Sequence, residues 1–281
     1  MTEVSAPPTT AGLGAGSRLP IGVLDSGVGG LSVCRAIRRH LPGADLLYFA
    51  DSAYAPYGEQ SPELVRRRTL AIAEALIRRG AGALVVACNT ATAAAVEPLR
   101  EAVAVPVIAM EPAVKPAAAA TRKGVVGVLA TTGTVSSARF AALLDRFAGN
   151  IEVRVQPCPG WVERVERGEL DGSRTEALVA RFVRPLTDAG ADTLVLGCTH
   201  YPFLAPVIAE IAGPEIALIE TSDAVARQLY RRLEENGLLA PTANPGDTRL
   251  FTSACADTAR AVVERLWPEC SAVQRIDPDA G

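Results

Sequence analysis

Two cysteines occupy matching settings, at positions 88 and 198. Cys88 ends the run Gly80-Ala-Gly-Ala-Leu-Val-Val-Ala and is followed by Asn89-Thr90; Cys198 ends the run Gly190-Ala-Asp-Thr-Leu-Val-Leu-Gly and is followed by Thr199-His200. Each run reads as a short buried strand that delivers a thiol at its carboxyl end, where ligands sit in open α/β sheets. A lone buried cysteine is ordinarily inert packing. Two thiols at equivalent strand ends suggest instead one acid/base group on each face of a single carbon. A following helix N-terminus favours the thiolate, so a pKa below about 8.5 is expected. Asn89, Thr90 and Thr199 can donate to carboxylates. His200, one of two histidines with His40, is expected to act beside Cys198 rather than as a satisfied structural histidine.

Three further segments carry polar groups at predicted strand ends or turns. Asp25-Ser26-Gly27-Val28-Gly29-Gly30 has the glycines for a sharp turn into a helix. Neither Gly-x-Gly-x-x-Gly nor Gly-Lys-Ser/Thr is present, and an aspartate there repels phosphate and attracts ammonium. Asp-Ser-Gly is equally an ordinary helix cap. Asp51-Ser-Ala-Tyr-Ala-Pro-Tyr57-Gly58 is either a plain Pro/Gly loop or a loop lying over a site and adding a carboxylate. Glu166 reads as a helix-end carboxylate or as the partner of a proton-transfer group. Cys34, Cys158, Cys255 and Cys270 lack the repeated setting and read as structural.

The elements that must position these groups alternate between strand and helix patterns, which predicts a parallel α/β fold. Strands are expected at 21–25, 45–50, 83–88, 106–110, 125–130, 151–156, 193–198, 216–219 and 248–253. Helices are expected at 30–40, 61–79, 92–102, 136–147, 175–189, 203–211, 222–235 and 256–266. The segment Gly22-Val-Leu-Asp25-Ser-Gly27 matches Gly127-Val-Leu-Ala130-Thr-Thr-Gly133, so the chain reads as two related halves. The expected organisation is two pseudo-symmetric open α/β domains with parallel-rich sheets and an active site in the cleft between them. Residues 20–112 plus 221–281 make the first and 113–220 the second, behind a flexible leader at 1–19.

With 281 residues, 49% of them apolar, the chain has ample material for a core. No apolar stretch is long enough to cross a bilayer, and the leader lacks the form of a signal peptide. A net charge of −3 gives no reason to expect nucleic acid. The arginine runs, Arg66-Arg67-Arg68 among them, are expected on solvated helix faces. Six cysteines without a Cys-x-x-Cys pair imply reduced thiols and a cytoplasmic setting, and no ligand cluster supports a metal.

Asp-Ser-Gly-x-Gly-Gly, Pro-Tyr-Gly, Cys-Asn-Thr-Ala and Cys-Thr-His-Tyr-Pro, in this order, resemble glutamate racemase of the aspartate/glutamate racemase superfamily, over residues 20–270. The resemblance implies that Cys88 and Cys198 are the catalytic acid/bases. It places Asp25, Ser26, Tyr57, Gly58, Asn89, Thr90, Thr199 and His200 at substrate-contacting positions. Asp51, Glu166 and His200 match auxiliary groups. It implies interconversion of L- and D-glutamate without a cofactor, D-glutamate for peptidoglycan, and a homodimer with no membrane or nucleic-acid partner. Glu220-Thr221 departs from the usual Asp-Ser of the family. Pyridoxal phosphate is disfavoured, because the lysines, Lys115 and Lys123, lack a phosphate-cradling context. Two alternatives stay open: a racemase for aspartate or another small acid, and a non-catalytic binding protein.

Overall fold

A computed structural model describes residues 19–149, 151–239, 244–270 and 272–279. The expected leader at 1–19 lies outside them except for Leu19. The strands are β1 (Ile21–Asp25), β2 (Leu46–Ala50), β3 (Ala83–Val86), β4 (Val107–Ala109), β5 (Val125–Ala130), β6 (Glu152–Pro157), β7 (Thr193–Leu196), β8 (Ala217–Ile219), β9 (Thr248–Thr252) and β10 (Val273–Arg275). The α-helices are α1 (Leu31–His40), α2 (Pro62–Arg78), α3 (Asn89–Ala102), α4 (Val114–Ala120), α5 (Thr132–Val135), α6 (Ala138–Phe147), α7 (Trp161–Glu166), α8 (Ser173–Asp188), α9 (Ala205–Ala212), α10 (Ser222–Glu235) and α11 (Ala256–Leu266).

The strands form two wholly parallel sheets, ordered β10-β9-β2-β1-β3-β4 and β6-β5-β7-β8. The segment β2-β1-β3-β4 has the same order as β6-β5-β7-β8, so the repeat visible in the sequence is a repeat of topology. Packing repeats with it. A Cβ on Gly22 of β1 would stand 2.8 Å from Leu84 of β3, and one on Gly127 of β5 would stand 2.6 Å from Leu194 of β7. The central strands β1, β2, β3 and β7 are buried along their whole length. Covered on both faces by helices, they read as continuous apolar runs. The carboxyl ends of the two sheets approach each other, and the polar groups of interest gather there.

Several elements differ from expectation for local reasons. The strands before the cysteines stop at Val86 and Leu196, two residues short of each thiol. Helix α3 begins at Asn89 rather than 92, with Cys88 as its N-cap. Helices α4, α5 and α7 and strand β10 are three to seven residues long, too short to show a period in sequence. Arg68 corrects the solvated-face expectation: it is buried, whereas Arg66 and Arg67 are exposed. It shares the stripe of Val65, Thr69 and Ile72 on α2, the face that packs inward. At the family departure, Glu220 accepts a hydrogen bond from Ser222 N at 2.6 Å at the start of α10.

Candidate active site

Around Cys198 a chain of polar groups crosses between the two sheets. The Cys198 Sγ lies 3.7 Å from His200 Nδ1, and His200 Nε2 lies 2.6 Å from Glu166 Oε1. Glu166 ends α7, and its carboxylate also accepts from Val28 N at 2.7 Å and from Ser52 Oγ at 2.9 Å, both beside the first sheet. Burial alone pulls the His200 imidazole down, but its contacts with Cys198 and Glu166 outweigh that and hold it well above the ordinary histidine range. The glycines of the 25–30 turn make this approach possible. A Cβ on Gly27 would lie 1.9 Å from Glu166 Oε1, and one on Gly29 would lie 2.2 Å from His200 Nδ1.

Asp25 ends β1 and is buried. Its carboxylate accepts from Gly30 N at 2.7 Å, and Thr199 Oγ1 of the opposite half stands 3.3 Å from Oδ2. Ser26 Oγ is 3.4 Å from Oδ1. Burial raises the Asp25 carboxyl above its ordinary range, opposed by His200 and by the Gly30 and Ser26 N–H groups. Ser32 fixes the same junction, donating to Gly29 O at 2.9 Å and Thr199 O at 3.0 Å.

Cys88 caps α3, its sulfur accepting from Ala91 N at 3.4 Å. The expected lowering of its pKa is overturned. Burial pushes the thiol well up, Asp25 and Cys198 push it further, and the Ala91 N–H and Ser26 offset only part. Desolvation disfavours the thiolate more than one capping N–H favours it. The neighbouring Asn89 amide is buried, and neither its Nδ2 nor its Oδ1 has a partner among the described residues. Thr90 Oγ1 lies 2.9 Å from Thr131 Oγ1 and 3.2 Å from Thr134 Oγ1, a hydroxyl cluster that joins α3 to α5 across the halves.

Tyr57 and Gly58 belong to a 3-10 turn, Tyr57–Glu59, that packs on α5. The Tyr57 hydroxyl donates to Asp51 Oδ2 at 2.5 Å. Asp51 is fully buried and also takes Arg68 Nη2 at 2.8 Å on Oδ1 and Arg68 Nε at 3.0 Å on Oδ2. The expected auxiliary carboxylate is thus engaged by Arg68 and Tyr57, whereas Glu166 is engaged by His200.

The structure therefore gathers Thr199, His200 and Glu166 on the Cys198 side and Asn89, Thr90, Tyr57, Gly58 and Asp51 on the Cys88 side, with Asp25 and Ser26 between them, in reach of Thr199 and of Cys88. Sequence reading passed over Ser32, Ser52, Arg68, Thr131 and Thr134. One signal was available: Ala130-Thr131 holds the place in the second half that Asp25-Ser26 holds in the first.

Residues 21–229 match the Asp/Glu/Hydantoin racemase family. The glutamate racemase of Pseudomonas paraeruginosa is 56% identical over 264 residues, covering 94% of this chain and 99% of that protein. Among solved structures, glutamate racemase isoform RacE1 from Bacillus anthracis superposes with a TM-score of 0.85 at 35% identity, over 93% of this chain and 98% of that one. The Escherichia coli glutamate racemase, solved with L-glutamate and the activator UDP-MurNAc-ala, gives 0.82 at 33% identity, over 92% and 98%. The chain belongs to the Asp/Glu/Hydantoin racemase family and, within it, to the glutamate racemases; it is an isomerase.

Proposed function

We propose that the protein interconverts L- and D-glutamate by proton transfer at Cα between two thiols, with no cofactor. The observation that carries the mechanism is the placement of Cys88 and Cys198 just past corresponding strands, β3 and β7, of two sheets whose carboxyl ends meet through Asp25 and Thr199. One sulfur, as thiolate, takes the Cα proton and becomes a thiol. The other, as thiol, gives its proton to the opposite face of the planar carbanion and becomes a thiolate. On the Cys198 side, His200 Nδ1 faces the sulfur and Glu166 holds the imidazole's far nitrogen. Asp25 and Ser26 hold the substrate ammonium. The unpartnered Asn89 amide, with Thr90 and Thr199, donates to carboxylate, and Tyr57-Gly58 closes over the substrate. Charge developing on the α-carboxylate is stabilised by these fixed donors in a water-poor site. By resemblance, Cys88 serves D-glutamate and Cys198 serves L-glutamate.

The same proposal takes residues 20–112 plus 221–281 as one domain and 113–220 as the other, a homodimer, and a cytoplasmic source of D-glutamate for peptidoglycan. The sheet membership of β9 and β10 supports the domain division. Among the described residues no helix is long and apolar enough to cross a membrane.

The test is circular dichroism of purified, cofactor-free protein with each enantiomer of glutamate and of aspartate. Both glutamate enantiomers should run to the racemate. Comparable rates on aspartate would replace glutamate by a broader acid class, and dependence on pyridoxal phosphate or a metal would end the two-thiol reading.

A further inference from the structure

We propose that Arg68 is the positioning residue for the loop that closes over the substrate, and that Asp279 near the chain's carboxyl end holds it in place. This inference rests on the glutamate racemase reading and extends it to residues that touch no substrate.

The observations begin with a helix position. Arg68 lies on the inward face of α2, and its guanidinium is distributed among three contacts. Its inner edge, Nε and Nη2, forms a two-pronged pair with the buried Asp51 carboxylate, at 3.0 and 2.8 Å. Its Nη1 donates to Asp279 Oδ2 at 3.0 Å. Its flat face stacks on the Tyr54 ring at 4.2 Å. Two of those partners, Asp51 and Tyr54, lie on the loop from Asp51 to Gly58. Asp51 opens it, Tyr54 stands midway, and Tyr57 returns to Asp51 through its hydroxyl at 2.5 Å. The cation therefore holds the start and middle of the loop directly and its far end through Asp51, which takes the Tyr57 hydroxyl.

What the loop touches makes this relevant to the reaction. Tyr57 packs in the same buried apolar cluster as Cys88. Gly58 meets α5 of the other half so closely that a Cβ there would stand 2.7 Å from the Thr131 Cβ. A shift of the loop moves the face that closes on the substrate beside Cys88; it also carries Ser52, whose Oγ donates to Glu166 at 2.9 Å, while the His200–Glu166 and Cys198–His200 contacts themselves involve no loop residue. The tail reaches Arg68 by a defined route. Strand β10 pairs with β9 at the sheet edge, and the chain then runs back to α2, where Arg78 Nη2 donates to Pro278 O at 3.1 Å. Asp279 is largely exposed, so it sets the outer limit of the guanidinium rather than burying it.

Arg is the residue type this geometry requires. A planar fork can hold both carboxylate oxygens, offer a third N–H outward and stack on a ring at once; a lysine ammonium cannot. Loss of the fork leaves Asp51 as a buried anion with the Tyr57 hydroxyl alone, and the loop is then free to move.

The experiment compares R68K, R68Q and D279N with the wild type in steady-state racemisation of both glutamate enantiomers, with thermal unfolding of each protein. Positioning of a substrate-closing loop predicts that R68K raises KM about tenfold or more, with kcat within about threefold. D279N should raise KM in the same sense by a few-fold. Loss of folded protein lowers apparent kcat and leaves KM alone, so the split separates the two roles. If R68Q does not fold, R68K and D279N carry the test. A wild-type KM in folded R68K and D279N, or a loss confined to kcat, overturns the proposal. A wild type that racemises another acid and not glutamate overturns the glutamate reading instead, and Arg68 is then judged on that acid's KM.

Discussion

Glu166 fastens His200 to the opposite half of the molecule. Its Oε1 is 2.6 Å from His200 Nε2 and also accepts from Val28 N at 2.7 Å. A group that, after Cys198, helps to raise the imidazole is therefore also the group that closes the junction beside Cys198. In sequence Glu166 reads either as a helix-end carboxylate or as the partner of a proton-transfer group, and the contact with Val28, 138 positions away, adds the junction to that role.

Replacing Glu166 by Gln should lower His200 and slow turnover by roughly ten- to a hundredfold, the scale of a disturbed proton-transfer group. The sign of the stability effect follows from His200 lying above its unfolded value of about 6.5. Stabilisation by a raised histidine is complete below the unfolded pKa and is lost as pH rises through the folded one. The Tm gap between wild type and E166Q should thus be widest in mildly acidic solution and narrow toward alkaline pH. A gap that does not change between about pH 6 and 9 would show that Glu166 acts on the fold without acting through His200.

Gly58→Ala tests the approach of the two halves. The added methyl would stand 2.7 Å from Thr131 Cβ, closer than real contacts allow, so the turn or α5 must retreat. Displacement of closing groups by an ångström can cost on the order of a hundredfold in rate. We expect kcat/KM to fall by about ten- to a hundredfold while Tm drops by only a few degrees. Near-wild-type kcat/KM would mean that the contact between Gly58 and Thr131 is dispensable for closure.

Much of this architecture is legible in the sequence because buried parallel strands are written as apolar runs. The repeat from Gly22 to Gly27 against Gly127 to Gly133 is legible because the same packing is built twice. The thiols and their neighbours stand at strand ends, which turn residues mark. Helix α7, which carries Glu166, is six residues long and leaves no period. Arg68 hides inside an arginine run, and the stripe Val65, Arg68, Thr69, Ile72 is the signal that separates it from Arg66 and Arg67. The electrostatics of Cys88 depart from the expectation for a physical reason. A capping N–H is visible in sequence, whereas burial of Cys88 is a property of the assembled halves.

That balance predicts which cysteine reacts first. Cys255 is exposed and caps α11, and N–H groups of Thr258 and Asp257 lower its pKa. Burial raises Cys34, Cys88 and Cys158. The thiolate is the nucleophile, so brief iodoacetamide treatment at neutral pH should label Cys255 before those three. Peptide mass analysis reads the order. Earlier labelling of Cys88 than of Cys255 would show that its sulfur is far better solvated or more acidic than its surroundings imply.

The two thiols should separate in exchange experiments but not in overall rates. Mirror-image substrates have an equilibrium constant of one, so any variant must lose kcat/KM equally in both directions. Cys88→Ser and Cys198→Ser should each nearly abolish racemisation, because a serine hydroxyl is a far poorer base than a thiolate at neutral pH. The asymmetry appears in deuterated water. In the wild type, early product carries solvent deuterium while the remaining starting enantiomer keeps its hydrogen, since each face has its own base. In Cys88→Ser, the intact sulfur at Cys198 can still remove and return the proton of L-glutamate, so any surviving wash-in should favour that enantiomer. Cys198→Ser should favour D-glutamate. Equal early labelling of both enantiomers in the wild type, or full racemisation by both variants, would show that a single base or some other group moves the proton.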